Sequence, residues 1–180
     1  MKRNDWFTWA FRIRICRVAA TLSIALFVLL PATEARAENL IRHPGAHPQY
    51  AFEIEPHLYF RYGRDDGAGP GVRASIPFMH NGPIDTINNN IGITFGADLP
   101  FYRGGALLDV PVAFQWNFYF TDIISVAGEA GFVSSFWTGP GGGFDLDPLF
   151  QGAGRFQFGK AGLLIRVGYP GVSIGANFQF

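Results

Sequence analysis

Hydrophobic and polar residues alternate with a period of two along most of the chain after residue 38. The last segment is the clearest case, because one of its faces is apolar and the other is polar. The apolar face carries Val172, Ile174, Ala176, Phe178 and Phe180, and the polar face carries Ser173, Gly175, Asn177 and Gln179. This period is that of a β-strand, and no stretch after residue 38 has the 3.6-residue period of a convincing amphipathic helix. The pattern therefore predicts an all-β fold.

Eight alternating segments are separated by residues that favour turns, namely Gly, Pro, Asn and Asp. They cover about residues 50–62, 71–79, 90–98, 105–120, 123–137, 148–158, 161–169 and 172–180. Most reach the ~9–11 residues that a tilted strand needs to cross a bilayer. Short connections at 121–122, 159–160 and 170–171 indicate antiparallel hairpins. We expect an eight-stranded antiparallel up-and-down β-barrel over residues 50–180.

The chemistry of the two faces decides which kind of barrel this is, because a membrane barrel turns its apolar side chains outward. In the first strand the two faces are Phe52, Ile54, Leu58 and Phe60 against Glu53, Glu55, His57 and Arg61. The charged set is too polar for a dry core, and the aromatic set is too large for a solvated surface. Aromatic residues also fall near both strand ends, as in the girdles of membrane barrels. Tyr50, Phe52, Trp116, Phe158 and Phe180 are assigned to one end, and Phe60, Tyr62, Phe136, Trp137 and Tyr169 to the other. The pattern predicts a transmembrane barrel.

Residues 1–37 have the three regions of a secretory signal peptide, which are a basic start, an apolar run and a small-residue cleavage site. The run covers residues 18–32, and Ala35 and Ala37 form the cleavage pattern, so we expect cleavage after Ala37. An uncleaved anchor is disfavoured because the run is shorter than the ~20 residues of a spanning helix. Residues 38–49 are predicted to be an irregular periplasmic segment. The mature chain then has no cysteine, which excludes disulfides, thiolate metal sites and a cysteine nucleophile.

Removing six basic and two acidic residues with the leader leaves eight basic and twelve acidic residues, a net charge of minus four. A nucleic-acid partner favours the opposite sign. The inward charges form a predicted lumenal network of Glu53, Glu55, His57, Arg61, Arg73, Asp98, Asp109, Glu129, Arg155 and Arg166. By height along the strands, Arg61 and Arg73 should meet Asp98 and Asp109, while Arg155 and Arg166 should meet Glu53, Glu55 and Glu129. Since side chains fill an eight-stranded interior, we interpret this network as a plug.

Two catalytic or conducting alternatives use the same lumen. One is a gated path for small solutes, and the other is an acid/base site around His57 with Glu53 or Glu55 and with Ser125 or Ser173 as the nearest hydroxyls. No cofactor or metal is expected, because His43 and His47 lack a third ligand and the acidic loop residues do not match a calcium loop. The loop at 139–143 lacks the lysine of a phosphate-binding loop.

The carboxyl terminus carries a more specific pattern. Ser173, Gly175, Phe178 and Phe180 resemble the assembly signal of bacterial outer-membrane barrels, and the chain is similar to small OmpA-like and OmpX-like barrels. The resemblance implies the outer membrane, with lipid and lipopolysaccharide around the barrel and recognition by the barrel-assembly machinery, and we expect a monomer. The connection at 79–89 departs from it, since periplasmic turns of the family are short.

The leading hypothesis is therefore a non-enzymatic outer-membrane barrel that supports the envelope or displays its loops. A lipid-modifying enzyme is one alternative, although no histidine falls on the lipid-facing surface that such an enzyme would use. A small-solute channel is another. A soluble lipocalin-like binder is a fourth reading, and it requires every face assigned above to be reversed.

Overall fold

The computed structural model describes residues 39–63, 66–138 and 142–180. The predicted signal peptide, with Ala35 and Ala37, lies outside the described residues. One short 3-10 helix, Leu40–Arg42, precedes the strands. The strands are β1 Glu53–Arg61, β2 Gly67–Met79, β3 Asn89–Asp98, β4 Phe101–Tyr102, β5 Gly105–Tyr119, β6 Ile124–Trp137, β7 Phe144–Phe158, β8 Ala161–Tyr169 and β9 Gly171–Gln179.

The strands close into a barrel, because β1 pairs antiparallel with β9 as well as with β2. Every other long strand pairs antiparallel with its neighbours in the chain. The two-residue β4 is an additional arm that pairs with β2 and β5 at one end. The eight long strands confirm the predicted all-β, eight-stranded antiparallel up-and-down barrel.

Several predicted boundaries were wrong, and β1 begins at Glu53 rather than residue 50. β2 begins at Gly67 rather than residue 71, and β7 begins at Phe144 rather than residue 148, so the loops beyond them are shorter than expected. The turn predicted at 121–122 occupies residues 120–123. The start of β2 was missed because Gly67 and Gly69 carry no side chain and so contribute nothing to an alternating pattern. The backbone at Gly69 approaches so closely that a Cβ there would overlap the carbonyl oxygen of Leu99.

The barrel has a polar interior and an apolar exterior. Burial alternates residue by residue along β1, with Glu53, Glu55, His57, Tyr59 and Arg61 inside. This follows from the pleat, which sends successive side chains to opposite faces. The exposed large hydrophobic residues include Leu58, Phe60, Val72, Phe95, Phe114, Phe132, Phe150, Val167 and Ile174. The face assignment made from the sequence agrees with the observed burial.

Outward aromatic residues pack against one another near both mouths of the barrel. Phe52 stacks on Phe180 with ring centroids 4.9 Å apart, and Phe136 packs on Phe144 at the opposite mouth with centroids 5.2 Å apart. Tyr50 is the exception. It was expected among the outward aromatics but is buried, with 6% of its surface exposed. It precedes β1 and so is not bound by the alternation of that strand.

The long connection between β2 and β3, residues 80–88, leaves the strand count at eight and forms local turns instead of a further strand. This connection and the residue that follows β5 are hydrogen-bonded to the segment that precedes β1. The amide of Asn88 donates to the carbonyl oxygen of Ile41 at 2.8 Å, and the amide of Leu40 donates to Phe120 at 2.9 Å. We call the end of the barrel covered by residues 39–52 and 80–88 the N-terminal mouth.

Candidate functional site

The middle of the lumen is organised around Glu129, an inward residue of β6. Its Oε1 accepts hydrogen bonds from Arg166 Nε and Gln115 Nε2, both at 2.8 Å, and its Oε2 accepts from Arg73 NH1 at 3.2 Å. These donors come from β8, β5 and β2, so a single carboxylate links strands on several sides of the barrel. Arg73 and Arg166 are both almost fully buried.

Each lumenal arginine binds at least one carboxylate. Arg61 binds Asp109 at 2.6 Å and Asp147 at 3.2 Å, whereas Arg73 binds Asp98 at 3.4 Å. Arg155 binds Glu53 at 2.8 Å, and Arg166 binds Glu55 as well as Glu129. Every partner expected by height along the strands is thus in contact with one of the arginines assigned to it. A buried ion pair of this kind stabilises only when both charges remain, because the loss of one leaves an uncompensated charge.

Two contacts of the arginines were missed by reasoning from the sequence. Arg61 binds Asp147, which had been assigned to a loop because the start of β7 was placed too late. Arg73 reaches Glu129 across the lumen, a contact that strand height alone did not suggest. The correct start of β7 would have placed Asp147 on a strand. The cross-lumen contact depends on the three-dimensional closure of the barrel.

His57 does not form the catalytic set that was considered as an alternative. Its Nε2 lies 2.7 Å from Asp98 Oδ1, and its Nδ1 lies 3.1 Å from the backbone carbonyl oxygen of Glu55. The hydroxyl of Ser125 accepts from Arg155 at 3.4 Å, and Ser173 is buried in the lumen wall. Neither hydroxyl is a hydrogen-bond partner of His57 in the described part of the chain. The geometry does not support a nucleophile activated by this histidine.

The N-terminal mouth is filled by neutral groups. His47, which had been considered with His43 as a metal ligand, is instead stacked on Tyr119 with ring centroids 4.4 Å apart, and its Nδ1 lies 2.6 Å from Asn88 Oδ1. Burial lowers the pKa of His47, as does the nearby His80, against the opposing effect of the Asn88 hydrogen bond. Burial likewise raises the pKa of Tyr50. Both shifts favour the uncharged form of the side chain.

Within residues 39–63, 66–138 and 142–180, no group of three His, Cys, Asp or Glu residues is arranged to hold a metal ion. Across the same ranges, no helix has the length and apolar character needed to cross a membrane.

The four residues of the expected assembly signal lie in β9 or directly after it, and they divide between the inner and outer faces of the barrel. Ser173 points inward, whereas Phe178 and Phe180 are exposed on the outside. At Gly175, a Cβ would overlap the carbonyl oxygen of Pro56. This glycine therefore has a packing role beside β1, independent of any signal.

No protein-family model matches the chain, and no curated protein is significantly similar to it in sequence. The resemblance to OmpA-like and OmpX-like barrels therefore rests on the carboxyl-terminal residues and on the pattern of the strands.

Proposed function

We propose that the protein is a non-enzymatic β-barrel of the bacterial outer membrane. The observation that carries the proposal is the distribution of polarity. Phe114 and Phe150 are each 62% exposed, and large apolar residues surround the barrel on all its long strands. Burial of one such side chain contributes about 1.5–3 kcal/mol, so a water-exposed surface of this kind is costly. Soluble monomers rarely expose apolar patches beyond a few hundred Å². An apolar exterior of this kind is more stable in contact with lipid than in contact with water.

The dimensions of the strands support the same proposal. The eight long strands contain 9 to 15 residues, and ~9–11 residues suffice for a tilted strand to cross the hydrocarbon layer. A closed barrel also leaves no unpaired strand edge, which a bilayer cannot solvate. The lipid and lipopolysaccharide of the outer membrane are then the surroundings, and the barrel-assembly machinery is the partner during insertion.

The lumen favours a structural role over transport. Arg166 links Glu55 to Glu129, and Arg73 links Asp98 to Glu129, so ion pairs connect opposite walls at mid-height. The interior of an eight-stranded barrel is only wide enough for its side chains. We propose a rigid barrel that supports the envelope or presents its loops, with no assigned catalytic residue or cofactor.

Membrane fractionation tests the location. The full chain expressed in a Gram-negative bacterium should sediment with outer membranes and should migrate differently in detergent gels before and after boiling. Recovery in the soluble periplasm, with the same mobility in heated and unheated samples, contradicts the proposal.

Conductance in planar bilayers tests the plugged lumen. The wild-type barrel should show no stable open channel, whereas Glu129→Ala should increase conductance because Arg73 and Arg166 lose a shared partner. Gly128→Ala is the matched control, since the added Cβ meets nothing within 4 Å. Reproducible open channels in the wild-type protein contradict the plug.

A further inference from the structure

His57 and Asp98 meet across an intervening strand. In the register of the barrel, His57 of β1 lies opposite Gly71 of β2, and Gly71 lies opposite Asp98 of β3. Side chains two strands apart normally remain separated by the side chain between them. A Cβ at Gly71 would overlap both Asp98 Oδ1 and His57 Nε2. The missing side chain at Gly71 is therefore what allows the histidine to reach the carboxylate.

Both ring nitrogens of His57 face acceptors. The partner of Nδ1, at 3.1 Å, is the backbone carbonyl oxygen of Glu55, which can only accept a hydrogen bond. The partner of Nε2, at 2.7 Å, is a carboxylate oxygen of Asp98, which only accepts while it is ionised. A neutral imidazole has one N–H and can satisfy just one of them. We propose that His57 is a proton-binding site of the lumen, an imidazolium ion held between the β1 backbone and Asp98.

The charges around the site favour the additional proton. Among the residues that the structure describes, the barrel buries five carboxylates, Glu53, Glu55, Asp98, Asp109 and Glu129, and four guanidiniums, Arg61, Arg73, Arg155 and Arg166. An imidazolium at His57 makes these fully buried charges equal in number, while Asp147, which also binds Arg61, is partly exposed and is not among them. An unbalanced charge in a buried, low-dielectric site is strongly unfavourable.

The groups that face His57 come from several strands. Asp98 also binds Arg73 through its other oxygen at 3.4 Å, and Asp109 of β5 lies opposite Asp98. The carboxylate of Glu55 lies 3.8 Å from His57 Nδ1 and is bound by Arg166. Two carboxylates thus flank the ring directly, and each has an arginine on its far side. The proton on His57 gives Asp98 a second charged donor and joins β1 to β3.

The ¹⁵N shifts of the histidine rings test the protonation directly. The full chain is purified in detergent and measured at pH of about 7.5, where an ordinary histidine is mostly neutral. Both ring nitrogens of His57 should be protonated, whereas His47, whose pKa is lowered by burial, should be neutral. The His57→Gln variant identifies the signal. A neutral ring at His57 overturns the proposal, whether or not the protein lies in a membrane.

Two variants test the cause. Gly71→Ala separates the ring from Asp98 and should convert His57 to a neutral ring, whereas Gly128→Ala, whose added Cβ meets nothing within 4 Å, should leave the imidazolium unchanged. Asp98→Asn keeps the shape of the side chain but removes its charge, and it should also convert His57 to a neutral ring. This variant tests the proposal even if Gly71→Ala folds poorly. An imidazolium that persists in folded Asp98→Asn contradicts the role of Asp98.

Discussion

The middle of the lumen and the N-terminal mouth are both closed by polar side chains, but by different physical means. In the middle, the strand residues carry full charges. The single carboxylate of Glu129 accepts hydrogen bonds from Arg73, Arg166 and Gln115. At the mouth, residues outside the strands use neutral contacts, such as His47 with Asn88 and Tyr119. The stability of the charged middle depends on the balance of positive and negative side chains over the whole lumenal network. The stability of the neutral mouth depends on individual hydrogen bonds, so the loss of one of them should change only the structure around it.

The largest effect is expected from removal of the central carboxylate. Glu129→Ala leaves Arg73 and Arg166 with one carboxylate partner each and should destabilise the folded barrel by about 3–5 kcal/mol. Urea unfolding in detergent, followed by gel mobility or tryptophan fluorescence, measures this change. The outward substitution Gly128→Ala serves as its control. A loss below about 1 kcal/mol for Glu129→Ala contradicts the central role of that charge.

The second prediction concerns Phe180, whose ring stacks on that of Phe52 at the N-terminal mouth. The amide of Phe180 donates to Phe52 at 2.9 Å, and its ring is exposed. An acidic residue near a bilayer interface costs only about 0–1 kcal/mol. If the terminal aromatic is also an assembly signal, Phe180→Asp should reduce outer-membrane levels several-fold more than that cost implies.

Phe158→Asp is the matched control for this variant, because Phe158 is exposed on the same side to a similar extent, 52% against 56%. Quantitative immunoblots of the outer-membrane fraction compare the two. Equal levels of the two variants would be compatible with the barrel but would contradict an assembly signal at Phe180.

A smaller effect is expected from a single amide at the mouth. Asn88→Ala removes the acceptor for His47 Nδ1 and should cost about 1–3 kcal/mol of stability. The exposed Asn81→Ala, in the same connection, should cost little. Hydrogen exchange should localise the change in Asn88→Ala to residues 39–52 and 80–88. Faster exchange throughout the barrel is inconsistent with a local closure.

The smallest effect is a dependence on pH. Since the folded protein lowers the pKa of His47, the folded state favours the neutral ring. The resulting stability is complete above the unfolded value of about 6.5 and is lost as the pH falls through the lower folded value. The thermal midpoint should therefore decrease in acid more steeply in the wild-type protein than in His47→Gln. Parallel pH profiles of the two proteins argue against a buried, neutral His47.

The lumenal network was predictable from the sequence in its membership but only partly in its contacts. Alternation placed Glu53, Glu55 and His57 on one face of β1, and the burial of all three agrees with it. The link between His57 and Asp98 was not predicted, because it depends on the register of three strands and on the missing side chain at Gly71. Register is a property of paired strands, and a single strand does not contain it.

The N-terminal mouth was less predictable. Residues 38–49 have no alternation to interpret, and Tyr50 was assigned to the outside by extending β1 too far. The hydrogen bond from the amide of Asn88 to the carbonyl oxygen of Ile41 joins two irregular segments that are distant in sequence. Periodicity carries information only where a regular strand forces side chains to alternate.

The sequence by itself determined the number of long strands, their antiparallel order and the reversal of polarity between the two faces. These features depend on a two-residue period and short turns, which are local. Only the tertiary structure decided which charges share Glu129, how His57 reaches Asp98 and how the segment before β1 covers the mouth. Those contacts join residues brought together by closure of the barrel, and closure is a property of all eight strands at once.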